Sequence, residues 1–397
     1  MSHHHHHPLP VGPNLTRRAT LGGIGAALAL SRIRPAYAGV AFAQRLVIIN
    51  LRGGLDGLAT VVPYGDPNLA TLRAALTPPP VGQTGGMFDL GGFYGLNPAM
   101  PNMYAMFQAN QMLAVHAVGN ILNSRSHFAD QTALQSGELA GTTSGWMNRL
   151  AGVLSFVAGG SEVGVVIGPG MPTIAQGPLQ LASYAGSSLV ATPNTLAALV
   201  ETLGAPDPLI GAPVQSGFND KALFQGWLSG QKYTGSPLVT ALQQAGVFLN
   251  SPGGPALAVV ETDSFDTHIN QVTRLTTALA DLDNAMAALK LGLGASWANT
   301  VVMTITEFGR TVAVNGCGGS DHGTGFAMFL AGGAVVGGRV IANWPGLGQR
   351  DLAGTTDVRS VIMGVLRDHL GLNATQLATV FPNAGAGVSP IGGLVNG

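Results

Sequence analysis

The sequence predicts an α/β fold, a doubly wound and mostly parallel sheet flanked by helices, on two observations. Short apolar runs rich in β-branched residues recur at 46–50, 112–118, 163–168, 256–260, 300–305 and 326–331. Between several of them lie stretches with helical spacing, at 97–109, 128–137, 219–230, 236–249 and 269–291. Strands that alternate with helices build parallel sheets, because each crossover helix carries the chain back to the start of the next strand. The helix at 269–291 has the clearest stripe, with Val272, Leu275, Leu279, Leu282, Met286 and Leu289 recurring every three or four residues. The glycine-interrupted stretch from Gly323 to Gly338 reads as strand, turn and strand.

The chain has 397 residues and a net charge of −1, so it exerts no electrostatic pull on nucleic acid or anionic lipid. Hydrophobic residues make up 46%, which excludes wholesale disorder, while 58 glycines and 24 prolines favour tight turns over long solvated helices. The single Cys317 excludes an intramolecular disulfide; within Gly316 to Gly319 it reads as a loop residue rather than a catalytic thiol. Residues 1–38 have the form of a twin-arginine signal peptide: Arg17-Arg18, an apolar stretch from Leu21 to Leu30, and a small-residue cleavage site at Ala36-Tyr37-Ala38. That apolar stretch is shorter than the roughly 20 residues a bilayer crossing needs, so no stable membrane span is expected. The route implies the twin-arginine translocase as a partner, a periplasmic or secreted destination, and export of an already folded, often cofactor-loaded protein. His3 to His7 are set aside as a tag or native tract. Residues 39–397 are then expected to form one domain, with a proline-rich, loop-rich insertion around 169–215 that covers the site.

Chemistry-bearing residues follow the predicted strands. Leu46 to Ile49 leads to Asp56; Ala256 to Val260 leads to Asp263, Asp266 and His268; Thr300 to Ile305 leads to Glu307 and, further on, Asp321 and His322. In an open parallel sheet, ligands bind beyond the carboxyl ends of the strands, so Asp56, Asp266 and Glu307 are expected at one rim. Oxygen and nitrogen donors suit Zn, Mn, Mg or Ca, and the lone cysteine disfavours thiolate-preferring metals. Two ions there could clamp the attacking and leaving oxygens of a displacement at phosphorus or sulfur. Ser124, Arg125, Ser126 and His127 stand at the start of the predicted 128–137 helix, where a serine could be a nucleophile or a cap, and Arg125 could hold an anion or pair with a carboxylate. Glu307 could equally partner Arg310. Trp146 reads as core, and Asp357 with Arg359 as a cap and ion pair on a late helix.

Seven ordered segments, Leu51 to Gly57, Ser124 to Phe128, Gly145 to Arg149, Asp266 to His268, Thr306 to Arg310, Asp321 to Gly323 and Thr356 to Arg359, together resemble the DUF1501 family. That family is placed in the alkaline phosphatase and sulfatase superfamily. The resemblance implies an alkaline phosphatase-like fold with a two-metal site. It also implies Ser126 as nucleophile beside Arg125 and His127, and Asp56, Asp266, His268, Glu307, Asp321 and His322 as metal ligands. A metal-dependent hydrolase of phosphate or sulfate esters is therefore expected; the rival expectation is a non-catalytic exported protein acting in binding or envelope assembly on the same fold.

Overall fold

A computed structural model describes residues 42–396 except 140–143, 158–162, 186–197, 200, 201, 205, 207–210, 349 and 386. The expected signal peptide, residues 1–38, and His3 to His7 within it lie outside the described residues. The chain divides into two compact units, Met1–Arg34 with Ala191–Ala222, and Pro35–Val190 with Leu223–Gly397. The described part of the first is chiefly the opening turns of the helix Gly211–Leu228; the sheets and the site described below belong to the second.

Its main sheet is built from β1 (Arg45–Leu51), β5 (Met112–Gly119), β6 (Gly164–Ile167), β7 (Ala182–Tyr184), β8 (Leu257–Thr262), β9 (Thr300–Ile305), β10 (Phe326–Ala331), β11 (Arg339–Ile341) and β12 (Thr356–Asp357). The order is β11-β5-β10-β9-β1-β8-β6-β7, with β12 also on β5. β1 runs parallel to both β8 and β9, with Asn50 beside Glu261 and Ile305. β10 alone is reversed, antiparallel to β9 and to β5. A small second sheet joins β2 (Val61–Val62), β3 (Phe88–Asp89) and β4 (Gly95–Leu96). All six sequence-predicted strands are present, and the expected mostly parallel sheet flanked by helices is the fold observed.

Alternation along the strands explains why both faces are covered. On β1, Val47, Ile49 and Leu51 enter one core and Leu46 and Ile48 the other; on β8, Ala258 and Val260 part from Leu257 and Val259 in the same way. The helices Pro237–Asn250 and Gln271–Leu293 cover the first face, and Trp146–Val157, Val358–Leu370 and Ala374–Val380 the second. Trp146 is fully buried and packs on Phe381 at 5.8 Å between ring centroids, as expected of a core residue.

Two expectations are corrected. Val272 heads the predicted core stripe but is exposed, whereas Leu275, Leu279, Leu282, Met286 and Leu289 are buried as foreseen. Within the loop-rich 169–215 segment, Ala182–Tyr184 forms the edge strand β7, parallel to β6. The helix predicted at 219–230 starts earlier, at Gly211. Asp357 caps the helix Val358–Leu370 by accepting from the Arg359 amide at 2.8 Å, and pairs with the Arg359 guanidinium at 2.7 Å. No helix among the described residues is long and apolar enough to cross a membrane.

Candidate metal centre

Five chain segments meet at one rim of the sheet: those leaving the carboxyl ends of β5, β9, β1 and β8, and the one entering the reversed β10. Because β10 runs backwards, its amino end lies at the rim where its neighbours finish, and His322 arrives there beside residues that follow parallel strands. Arg310 and His322 form an isolated antiparallel bridge that closes the base of the excursion between β9 and β10.

His127, Asp266 and His322 each direct a donor atom to a common point, all within 4.8 Å of one another. The His127 Nε2 lies 3.7 Å from Asp266 Oδ2, and the His322 Nε2 3.7 Å from Asp266 Oδ1. The other nitrogen of each ring fixes the tautomer. His127 Nδ1 meets Glu307 Oε1 at 2.7 Å, and His322 Nδ1 meets the Arg125 carbonyl at 2.8 Å. Both partners are acceptors, so each Nδ1 is the nitrogen that donates and each Nε2 is the one turned to the centre. Separations of 3.7 Å are too long for hydrogen bonds. They are close to the edge of a coordination tetrahedron, about 3.3 Å for bonds of about 2.0–2.1 Å. Two imidazole nitrogens and a carboxylate form a donor set of the kind that fits a divalent cation. Burial, with help from Arg310, His127 and His268, holds the His322 pKa below its usual value and keeps the ring neutral. Asp266 is held below the carboxylate range: burial pushes it up, but the hydrogen bond and charge of Arg310 outweigh that.

His268 stands at the edge of this group. Its Nε2 is 3.1 Å from Asp266 Oδ1 and 2.9 Å from His322 Nε2, and its Nδ1 is 3.3 Å from Asp321 Oδ1. Asp321 is therefore a partner of His268 rather than a member of the converging group, and Asn315 donates to it at 3.1 Å. Glu307, foreseen as a metal ligand, is buried and spent on other contacts: its Oε1 accepts from the Gly53 amide at 2.8 Å and from His127. It stands behind His127, the place that outer carboxylates take in metal–histidine sites. Asp56, likewise foreseen as a ligand, is fully buried. It caps the short helix Gly57–Thr60 through Ala59, pairs with the buried Arg73, and accepts from Gln271. These placements leave one cluster among the described residues where two ions were expected. His127, expected to act in catalysis, lies inside that cluster.

Glycine and arginine hold the rim together. Gly53 and Gly54 adopt φ of +111° and +79°, and a side chain on them would strike the Asp266 backbone and the Phe308 ring respectively. Arg310 is buried and donates to the Gly54 carbonyl at 3.0 Å, the Ser320 carbonyl at 3.1 Å and Asp266 at 2.5 Å, which ties three segments to one planar group. Phe308 lies under the histidines, 4.9 Å from His127 and 4.6 Å from His322 between ring centroids.

The serine segment stands beside this centre. Ser126 is the N-cap residue of the helix His127–Ser136 but makes no capping hydrogen bond through its side chain. The Ser124 hydroxyl is taken by Asp130 at 2.9 Å. Arg125 pairs with Asp351, the second of its two foreseen alternatives. Phe128, next to His127, is 90% exposed. Sequence reasoning missed Arg73, Gln271, Asp130 and Asn120. Of these only Asp130 carried a signal, an acidic residue in a helix's first turn.

A search of curated proteins finds no match. Among solved structures, the chain is similar to alkaline phosphatase from the Antarctic bacterium TAB5, at 12% identity and TM-score 0.37, covering 78% of this chain and 95% of that one. It is similar to a putative sulfatase from Bacteroides thetaiotaomicron at 9% identity and TM-score 0.42, covering 87% and 76%. It is also similar to the C-terminal periplasmic domain of EcEptC from Escherichia coli, in complex with Zn, at 10% identity and TM-score 0.36, covering 76% and 77%. The family model described as "Protein of unknown function (DUF1501)" matches residues 249–387, from the end of the helix before β8 to beyond the last helix. Over that stretch, which carries Asp266, His268, Glu307, Asp321 and His322, the chain is similar to the DUF1501 family.

Proposed function

We propose that the protein is an exported, metal-dependent hydrolase of phosphate or sulfate esters. The observation that carries this reading is the convergence of His127, Asp266 and His322, with the Nε2 of both histidines turned inward. Three protein ligands leave a position for substrate, as in catalytic rather than structural zinc sites. A divalent ion bound there supplies Lewis-acid stabilisation of the charge that develops on the ester oxygens. Ser126, one residue before His127, is the proposed nucleophile, since its hydroxyl is not used for capping whereas that of Ser124 is held by Asp130. Its oxygen forms the bond to phosphorus or sulfur while the ester oxygen departs with the electrons of the broken bond; the serine proton passes to solvent, and water then cleaves the serine ester. Export rests on the twin-arginine pattern and Ala36-Tyr37-Ala38 cleavage site.

The test is elemental analysis of the full chain with His3 to His7 replaced by serine, beside Asp266→Ala and His322→Ala versions. Near-stoichiometric divalent metal, lost in both variants, is the expected result. Phosphate and sulfate esters are then screened with Ser126→Ala as control. No metal after reconstitution with Zn, Mn, Mg and Ca would sink the hydrolase and favour the binding or assembly role.

A further inference from the structure

We propose that Asp130 is a positioning residue that sets the tautomer and aim of His322 from the far side of the serine loop. Asp130 is fully buried in the first turn of the helix His127–Ser136. Its Oδ1 accepts from the Ser124 amide at 3.0 Å; its Oδ2 accepts from the Ser124 hydroxyl at 2.9 Å and the Ser126 amide at 3.1 Å. Three donors on one carboxylate clamp the Asn123–Ser124 peptide unit, the Ser124 hydroxyl and the Arg125–Ser126 peptide unit, which carries the Arg125 carbonyl.

The clamp is needed because the loop is bent against its own preferences. Asn123 has φ of +50° and Arg125 of +62°, conformations that residues with a Cβ adopt seldom and at a cost. Two positive-φ residues flanking Ser124 persist only where surrounding contacts over-determine them, and Asp130 supplies those contacts. The consequence is where the Arg125 carbonyl points. It accepts the His322 Nδ1 proton at 2.8 Å across 197 residues of sequence. With that proton held, Nε2 is the lone-pair nitrogen and faces Asp266. Asn120 secures the same helix turn from below, donating to the Asp130 carbonyl at 2.9 Å and the Glu307 carbonyl at 2.7 Å. His127 receives its orientation directly from Glu307; His322 receives its own through a carbonyl that Asp130 holds in place.

The inference rests on the metal reading for its use but not for its test. In the full chain with His3 to His7 replaced by serine, Asp130→Asn keeps the shape and sets an amide N–H against the Ser126 N–H. In metal-free protein, long-range nitrogen–proton NMR of the imidazoles is expected to show His322 wholly in the Nδ1-protonated form in the parent and in a mixture of tautomers in Asp130→Asn. Zinc affinity by calorimetry is expected to fall about tenfold to a hundredfold, the range for lost outer-shell partners. Ser124→Ala removes one contact from an exposed residue, so it folds even if Asp130→Asn does not; a several-fold loss with partial tautomer mixing is expected. A single Nδ1-protonated His322 in both variants, or in Ser124→Ala alone if Asp130→Asn fails to fold, would overturn the proposal. A parent that binds no zinc would sink the metal reading, and the tautomer measurement would still decide the role of Asp130.

Discussion

Two aspartates leave adjacent parallel strands at the same rim and meet opposite fates. Asp56, after β1, and Asp266, after β8, each pair with a buried arginine, Arg73 and Arg310 respectively. Asp56 is then saturated: Ala59 takes one oxygen, Arg73 and Gln271 the other, and nothing of it reaches solvent. Asp266 gives one oxygen to Arg310 and keeps the other toward His127, with its side chain 45% exposed. An arginine on one oxygen makes a carboxylate a firmly aimed ligand; an arginine with two further donors makes it a brace. What separates the two is the number of donors that tertiary packing brings, not the residue or its distance from the strand.

The comparison breaks most sharply at Asp56. Asp56→Ala strands the Arg73 guanidinium in the core and is expected to cost about 3–5 kcal/mol in chemical denaturation. Asp266→Ala, in contrast, should lower stability far less while abolishing metal binding; the reverse pattern would invert the assignment of brace and ligand.

Acid probes the sealed side next. His116 on β5 is fully buried beside Asp56 and the Gly57 backbone, and desolvation lowers its pKa from 6.5 to about 4. The unfolded chain therefore binds this proton first as pH falls. Its contribution to stability is complete above about 6.5 and is lost as pH drops toward about 4, amounting to about 3 kcal/mol. Denaturant midpoints measured across that window should decline in the parent and less steeply in His116→Gln; equal slopes would remove His116 as the cause.

Smaller effects sharpen the open side. Glu307→Gln keeps the shape behind His127 but removes the charge, and zinc affinity by calorimetry should fall about tenfold, the low end for such partners. An unchanged affinity would show that His127 needs no carboxylate behind it. Arg125→Ala deletes a partly exposed ion pair with Asp351, is expected to cost at most about 1 kcal/mol, and leaves in place the carbonyl that holds His322. A tenfold loss of zinc affinity in this variant would mean the guanidinium, rather than the backbone, organises that side.

The strands were legible because each is buried on both faces and reads as an apolar run, as Leu46 to Leu51 does. The reversal of β10 was not, since Phe326 to Ala331 would read the same in either direction. Nor was the irregularity at Ala117, with φ of +54° where β5 shifts register against β10. At the site, Asp266, His268 and His322 could be found because imidazole and carboxylate follow strands; their sorting into ligands and supports could not. Arg73 lies 17 residues from Asp56 and Arg310 lies 256 from Gly54, and no local spacing announces such pairs. Asp130 was overlooked because its acceptors serve a loop whose bend appears only in three dimensions.

The excursion from Glu307 to His322 leaves and re-enters at the rim, and the only cysteine in the chain, Cys317, is exposed near its far end. There the carbonyls of Cys317 and Gly318 receive the amides of Asn270 and Gln271, just past His268. Nature has thus left a single chemical handle on the segment that delivers His322 to the rim. A fluorophore attached to that thiol would report events at the centre in real time, with no residue of the protein replaced.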